Sequence, residues 1–578
     1  MHLVDAVGKH PELKAVPCLH EQACAIAAEA YGRVTENIGV ALVTTGPGAT
    51  NAITGVVGAW IESVPLLVIS GQVKRADMLH GSALRQKGVQ EVDIVRMVQG
   101  VTKYAKTIEH PEDIRVELER AVRIAREGRG GPVWIDVPLD VQGAPIALES
   151  LSPVDSISRP SIPLPPANAV EKVVGLLAAA ERPLILAGHG VRLAGAARQF
   201  GEFVDVLGVP VVTTWNAMDL LPYDHPLCVG RPGVVALRAP NFAVQNCDLL
   251  IAIGSRLDNI ITAFNPRGFA TAAKKVVVDV DPREIEKLDM DIVAAIHADA
   301  KQFIDSLQGS ARVMPRPDIG AWRVRCADWK RRYPVNDDTP FPAQGVIGHY
   351  QFVDALSEAV PAGTLISTGS SGLAVEVFYT TFRNKPGQRI FLTSGLGAMG
   401  YGLPAAIGAC FANDRRPMVA LESDGSLQFN LQELATLRAF DLPICLIVMN
   451  NRGYASIRNT QRNYFAGRYV GTGPEADLWL PDLEDVAATY RLPYRRVTDA
   501  SELGGALRAA LAAPRPLLVE VQLVPDEALA PKVAAIMQAD GSMLSMPLED
   551  MSPLLPLKQL EAEMLVPLNS VSRSARRP

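Results

Sequence analysis

The sequence predicts an α/β protein built from three consecutive doubly wound, mainly parallel-sheet domains. Three observations lead there. The chain has 578 residues, several times what one hydrophobic core organises. Its apolar residues fall in short continuous runs of strand length, the pattern of strands buried on both faces. Those runs alternate with amphipathic stretches of helical length, an order that places helices on both faces of a parallel sheet.

In the first block, residues 1–150, the strands are expected at Gly39–Thr44, Pro65–Ser70 and Pro132–Val137, with helices over Glu21–Tyr31 and Asp113–Glu127. The stretch Ser152–Pro166 is rich in proline, lacks apolar periodicity and reads as an extended connector. The second block, residues 167–312, repeats the pattern at Pro183–Ala187, Pro210–Thr213, Leu249–Ile253 and Lys275–Val280, and a polar connector around Pro315–Phe341 ends it. The third block, residues 342–525, has strands at Thr364–Thr368, Met418–Glu422, Ile444–Met449 and Leu517–Val521. Residues 526–578 form a tail rich in Met, Leu and Pro that is expected to be irregular, with Arg573, Arg576 and Arg577 as a frayed end.

Bulk properties exclude several function classes. With 48% hydrophobic and 20% charged residues and a formal net charge of −6, neither a nucleic-acid surface nor an anionic-membrane surface is indicated. Apolar runs such as Val64–Ile69 and Leu249–Ile253 are far too short to span a bilayer. Seven dispersed cysteines without a CxxC pair read as reduced thiols, and no charged-then-apolar leader is present, so a cytoplasmic protein is expected.

Residues 418–454 read MVALESDGSLQFNLQELATLRAFDLPICLIVMNNRGY: a strand, Ser-Asp-Gly-Ser, a helix with Leu431, Leu434, Ala435 and Leu437 inward, and a second strand ending in Asn-Asn. Ligands of open α/β sheets bind beyond the carboxyl ends of the strands. Magnesium takes hard oxygen ligands and shares them with phosphates. The Asp424 carboxylate, the Asn451 amide oxygen and the Gly453 carbonyl supply such a set. Gly425 permits close backbone approach, and the helix start at Ser426 offers free N–H groups. Taken alone, Asp424 would read as a helix N-cap and Asn450–Asn451 as a turn.

This segment, with 24 residues between Gly425 and Asn450, resembles the GDG…NN signature of thiamine-diphosphate enzymes, with Ser423 in place of the first glycine. Residues 18–51 (CLHEQACAIAAEAYGRVTENIGVALVTTGPGATN) resemble the pyrimidine-binding domain of acetolactate synthase-like enzymes, and residues 391–408 (FLTSGLGAMGYGLPAAIG) resemble their aminopyrimidine-holding segment. LLIAIGSRLDN and KKVVVDVDPREIEK are similar to the family's central domain. The resemblance implies thiamine diphosphate and Mg²⁺ as cofactors and a 2-oxo acid, pyruvate, as substrate. It implies a homodimer or homotetramer with the active site at the interface. Glu21 matches the catalytic glutamate that hydrogen-bonds the pyrimidine N1′ and so supports deprotonation of the thiazolium; a first-turn helix acid is its plainer reading. Met399 matches the wedge beneath the cofactor, with the Gly397 carbonyl and the Met399 N–H holding the pyrimidine edge. Gln90 and Lys103 match residues lining the substrate side. The loop beginning at Gly46 either lines the cofactor or caps the next helix.

FAD in the middle domain is a further implication. Arg256 matches an arginine near flavin and second substrate, and Asp279 and Asp281 match positions at the adenine end. Family members favouring 2-oxobutyrate carry a tryptophan after the Asn-Asn pair; here Thr460 stands there and no Trp occurs between Asn451 and Tyr469. Acetolactate synthesis or a related pyruvate carboligation is expected first. Simple 2-oxo acid decarboxylation and ligation to a keto-sugar nucleotide are the alternatives, with Arg452, Arg458, Arg462 and Arg468 either facing an anionic acceptor or forming a solvated face. The chain starts at a sequence resembling that just after the family's Gly-Gly-Ala loop, about 25–30 residues into a typical domain. A misplaced start or a fragment is therefore expected, and a catalytically impaired or regulatory chain stays open.

Overall fold

The computed structural model describes residues 1–575 except 148, 150, 152–161, 313–317, 337–338, 371, 514–515, 538–540 and 542. Most of the connector Ser152–Pro166 therefore lies outside the described residues, as do Arg576 and Arg577.

Three parallel sheets follow one another. The first contains β1 (Gly39–Val43), β2 (Leu66–Gln72), β3 (Tyr104–Thr107) and β4 (Pro132–Pro138), in the order β1-β2-β4-β3. The second contains β5 (Pro183–Ala187), β6 (Val211–Thr213), β7 (Cys228–Gly230), β8 (Leu249–Ile253), β9 (Lys274–Asp279) and β10 (Ala294–His297), ordered β10-β9-β8-β5-β6-β7. The third contains β11 (Leu365–Thr368), β12 (Arg389–Phe391), β13 (Met418–Ser423), β14 (Ile444–Asn450), β15 (Tyr494–Val497) and β16 (Leu517–Gln522), ordered β12-β11-β13-β14-β16-β15. Every ladder within these sheets is parallel. A small antiparallel hairpin of β17 (Ala535–Met537) and β18 (Met543–Ser545) lies in the tail.

The sequence reading missed β3, β7, β10, β12 and β15, and each of them is a sheet edge. Edge strands are short and covered on fewer sides, so their residues do not form the uninterrupted apolar run that marks a central strand. The polar connector also needs correcting. Gly320–Arg332 is a helix that buries Trp322, Cys326 and Trp329, a helically spaced apolar stripe hidden among six Arg, Lys and Asp residues. The tail, expected to be irregular, packs back onto the middle domain. Met546, Leu548, Met551 and Leu560 join the core of the middle domain. The Glu563 carboxylate accepts from Trp329 Nε1 at 2.7 Å and Tyr333 Oη at 2.8 Å and pairs with Arg332 at 2.6 Å.

The first and third domains meet through the alanine-rich helix Glu21–Thr35, which packs on helix Gly402–Ala412. The approach is close because the residues there are small. A Cβ at Gly408 would lie 1.9 Å from the Ala27 carbonyl oxygen.

Within the first sheet, Asp136 of β4 is 1% exposed. It accepts from Ser70 Oγ at 2.5 Å and Gln72 Nε2 at 3.1 Å, while Trp134 Nε1 donates to the same Ser70 oxygen at 2.8 Å. Burial outweighs these bonds and raises the Asp136 carboxyl to about 7.

Two expectations follow from this packing. Gly408→Val should lower stability by about 1–3 kcal/mol or more through overpacking, read as a lower melting temperature of the apo protein; an unchanged melting curve would mean the helices can part freely. Because the folded Asp136 holds its proton more tightly than the unfolded chain, its contribution is full below about pH 4 and is lost as pH rises through about 7. Asp136→Asn should therefore raise the melting temperature more at about pH 8 than at about pH 5; an equal shift at both would refute the buried proton.

Candidate active site

β13 and β14 are neighbours in register, with Ser423 opposite Met449, so Asp424 and Asn451 emerge side by side at the carboxyl edge of the third sheet. Asp424 is 3% and Asn451 3% exposed. Asp424 Oδ2 accepts the Gly453 N–H at 2.7 Å. Its Oδ1 and the Asn451 Oδ1 are buried oxygens without a partner. Two orphaned acceptors cost free energy unless something donates or coordinates there, and a carboxylate with an amide oxygen is a donor set for a hard cation. Burial, countered by backbone N–H groups, raises the Asp424 carboxyl to about 6.

Ser423 adopts an extended backbone (φ −97°, ψ 155°), which any residue tolerates, so the missing first glycine of the motif requires no shift of the loop. Gly425 is needed for a reason the sequence did not disclose: a Cβ there would meet the Tyr454 ring at 2.5 Å. Gly453 has φ +108°, and its contact with Asp424 is through its N–H rather than its carbonyl. The helix after Asp424 is broken as well. Asp424–Leu427 and Leu434–Ala439 flank a 3₁₀ segment kinked at Asn430 (φ −136°, ψ 31°).

That kink ties in the second element of the site. Asn430 Nδ2 donates to the Gly400 carbonyl at 2.8 Å, and Ser426 Oγ accepts the Gly400 N–H at 2.9 Å. Ser426 is thus joined to the turn Gly397–Gly400, where Gly397 (φ +65°) and Gly400 (φ +77°) flank a half-buried Met399. The structure brings Asp424, Gly425, Ser426, Asn451, Gly453, Gly397 and Met399 to one sheet edge.

Glu21 opens helix Glu21–Thr35 on the first domain, half-buried. Its Oε2 accepts from Asn51 Nδ2 at 3.1 Å, so helix Pro47–Glu62, which Gly46 caps and Asn51 belongs to, orients it. Gly46 has φ +62°, and a Cβ there would lie 2.3 Å from the Gln90 carbonyl oxygen; glycine is required on both counts. Glu21, Gly46 and Gln90 therefore share one edge. The Gln90 loop is gathered by Glu91, whose carboxylate accepts the N–H groups of Lys87 at 3.0 Å and Gly88 at 3.1 Å. Lys103 is not brought to them within the chain. It precedes β3, at the opposite end of the sheet, and its Nζ donates to the Glu127 carbonyl at 2.5 Å; burial lowers it to about 8.

The buried Glu433, absent from the sequence reading, joins the two halves. Its Oε1 accepts the N–H groups of Leu19 and His20 at 2.9 and 3.0 Å, immediately before Glu21. Arg458 was missed as a structural clamp. Rather than facing an acceptor, it donates to the carbonyls of Asn451 (2.6 Å), Arg452 (2.7 Å), Thr472 (2.8 Å) and Pro525 (2.9 Å). Arg452 and Arg468 are exposed, Arg462 is half-buried, and Thr460 lies exposed on helix Ala455–Tyr464.

A cavity of about 850 Å³ opens where the three domains meet, and both Arg256 and Asp279 line it. Asp279 accepts the Asp281 N–H at 2.9 Å, and burial raises its carboxyl. Asp281 instead pairs with Arg283 (3.0 Å) and Arg129 (3.3 Å). Arg33, Arg192, Trp215 and Arg389 line the cavity with buried N–H groups that have no partner. Unpaired donors of this kind suit an acceptor-rich anion.

Models of the thiamine pyrophosphate enzymes match all three domains: the N-terminal TPP binding domain over residues 1–97, the central domain over 170–307 and the C-terminal TPP binding domain over 367–521. The probable acetolactate synthase large subunit of Methanocaldococcus jannaschii is 32% identical over 527 residues, covering 88% of this chain and 85% of that protein. The acetolactate synthase large subunit of Cyanidium caldarium is 32% identical, with 89% and 87% covered, and the chloroplastic acetolactate synthase of Arabidopsis thaliana is 32% identical, with 92% and 79% covered. Three matching domains in the family's order, on the fold and sheet edges described above, assign this chain to the acetolactate synthase-like family of thiamine-diphosphate-dependent carboligases.

Proposed function

We propose that this enzyme decarboxylates pyruvate with thiamine diphosphate and Mg²⁺ and joins the two-carbon unit to a second carbonyl compound. The observation that carries the reading is the pair of buried, partnerless oxygens, Asp424 Oδ1 and Asn451 Oδ1, at adjacent strand ends. They fit a magnesium ion that anchors a diphosphate, with the Gly453 carbonyl as a third ligand by resemblance. When bound, the cofactor supplies the electron sink for breaking and making the carbon–carbon bond.

The protein's part is positioning and proton control. Glu21, held by Asn51, is the carboxylate for the pyrimidine N1′. Met399, on its glycine-flanked turn, is the wedge that bends the cofactor. Gln90 and Lys103 are assigned to the substrate side on the resemblance alone. A second copy of the chain is the natural cover for the exposed apolar side chains beside the two halves, Leu19 at 65%, Val89 at 87% and Phe429 at 47% exposure. Within the described residues no helix is long and apolar enough to cross a membrane.

For the middle cavity we favour FAD. The volume suits a dinucleotide, and the unpaired Arg33, Arg192, Trp215 and Arg389 donors suit its diphosphate. Arg256 reaches toward the third domain, its Nη2 lying 3.2 Å from where a Cβ would stand on Gly395. A keto-sugar nucleotide is the second reading for the acceptor, favoured by the exposed Thr460 where 2-oxobutyrate-selective relatives carry tryptophan.

Labelled pyruvate supplied with ThDP, Mg²⁺ and candidate acceptors, followed by mass spectrometry, tests the reaction. Acetolactate or another ligated product is expected. Acetaldehyde alone would make it a decarboxylase, and no turnover despite ThDP binding would make it an impaired or regulatory chain. Glu21→Gln should retain ThDP yet slow C2–H exchange by at least about 100-fold; normal exchange would remove Glu21 from the mechanism. Asp424→Ala should abolish Mg²⁺-dependent ThDP retention. The purified protein should carry visible flavin absorption that Arg256→Ala diminishes; a colourless protein that releases an adenine nucleotide on denaturation would replace FAD with a non-flavin ligand.

A further inference from the structure

A buried imidazole and a carboxylate stand behind Asn451, and neither belongs to the ligand set described above. His349 is 1% exposed and begins helix His349–Ala359. Glu527 follows β16, where the chain returns across the end of β14. His349 Nδ1 lies 2.8 Å from Glu527 Oε2, which also accepts the His349 backbone N–H. His349 Nε2 lies 3.2 Å from Asn451 Nδ2.

We propose that His349 and Glu527 are positioning residues that decide which end of the Asn451 amide faces the metal. The proposal rests on the reading of Asp424 and Asn451 as cation ligands. A carboxylate can only accept, so Nδ1 carries a proton toward Glu527, and the Asn451 NH₂ group 3.2 Å from Nε2 marks that nitrogen as the acceptor. That leaves Nε2 as a lone pair, and only the NH₂ end of the Asn451 amide can donate to it. The amide oxygen is thereby turned the other way, where it is buried without a partner, as is Asp424 Oδ1.

An amide torsion has two nearly equivalent orientations related by a half-turn. Without an acceptor at His349, no hydrogen bond among the described residues stops the amide presenting its NH₂ group, which cannot ligate a cation. Arg458 holds the Asn451 carbonyl at 2.6 Å independently, so the backbone stays in place and the dyad governs the amide alone. Outer partners of this kind orient ligands in many metal sites.

The test titrates Mg²⁺ against ThDP retention by the full chain, quantified after gel filtration, alongside the melting temperature of the apo protein. His349→Leu should raise the Mg²⁺ concentration needed by about 10–100-fold with little change in apo melting. His349→Gln, whose amide oxygen restores an acceptor, should stay within about 3-fold of wild type, and Glu527→Ala should weaken retention by at least about 3-fold. If His349→Leu does not fold, Glu527→Ala and His349→Gln carry the comparison. Unchanged Mg²⁺ dependence in the first or last of these variants, or a His349→Gln protein as weak as His349→Leu, would overturn the proposal while leaving the metal site standing. ThDP retention by wild type that ignores Mg²⁺ would overturn both.

Discussion

The Glu62 carboxylate, at the end of helix Pro47–Glu62, is where the three domains are held in one arrangement. It lies 6% exposed and accepts from Asn216 Nδ2 of the middle domain at 3.0 Å. From the third domain it accepts Ser394 Oγ at 3.2 Å and the Gly395 N–H at 2.6 Å. Behind it Arg33 pairs with Glu29 at 2.5 Å, and Tyr401 of the third domain donates to Glu29 at 2.8 Å. Burial opposes the Arg33 charge, yet Glu29, Tyr401 and Glu62 raise its affinity for the proton. Buried charges add little net stability against an apolar replacement. Their effect is on geometry, because a domain that slid away would leave a carboxylate or guanidinium buried and unpaired.

The functional architecture hangs on that junction. Ser394 and Gly395, which donate to Glu62, lead directly into the turn Gly397–Gly400, so the position of Met399 is referred back to the first domain. Asn216 and Asp219 extend the network into the middle domain. Asp219 bridges Arg192 at 2.9 Å and Arg389 at 3.1 Å, and these arginines also border the large cavity. Burial, with Arg192 nearby, lowers Arg389 to about 10. The cavity is therefore a seam whose shape depends on all three domains. The site on the sheet edges is likewise divided, with the carboxylate half on the first domain and the metal half on the third.

Much of this was legible because central strands are read from local sequence. β5 and β8 are buried on both faces along their whole length, and an uninterrupted apolar run has no other economical home. The metal half was legible for a related reason: Asp424 and Asn451 each lie one residue beyond the end of adjacent strands, so finding the strands located the ligands. Edge strands, the helix Gly320–Arg332 and the docking of the tail were not readable in the same way. What stabilises them is contributed by partners far along the chain, as Glu563 is for Trp329.

The sequence by itself determined the fold class, the order of the three domains, and the identity of residues that must sit at strand ends. Apolar periodicity, glycine placement and metal-ligand chemistry are local properties, and they act over a few residues. Only the tertiary structure decided what those residues are turned toward. It turned Arg458 inward onto four carbonyls, placed Lys103 at the far end of its sheet, and set His349, 102 residues away along the chain, behind Asn451, with Glu527, 178 residues from His349, behind that. Orientation of a polar side chain depends on which donors and acceptors are buried beside it, and no spacing along the chain encodes that.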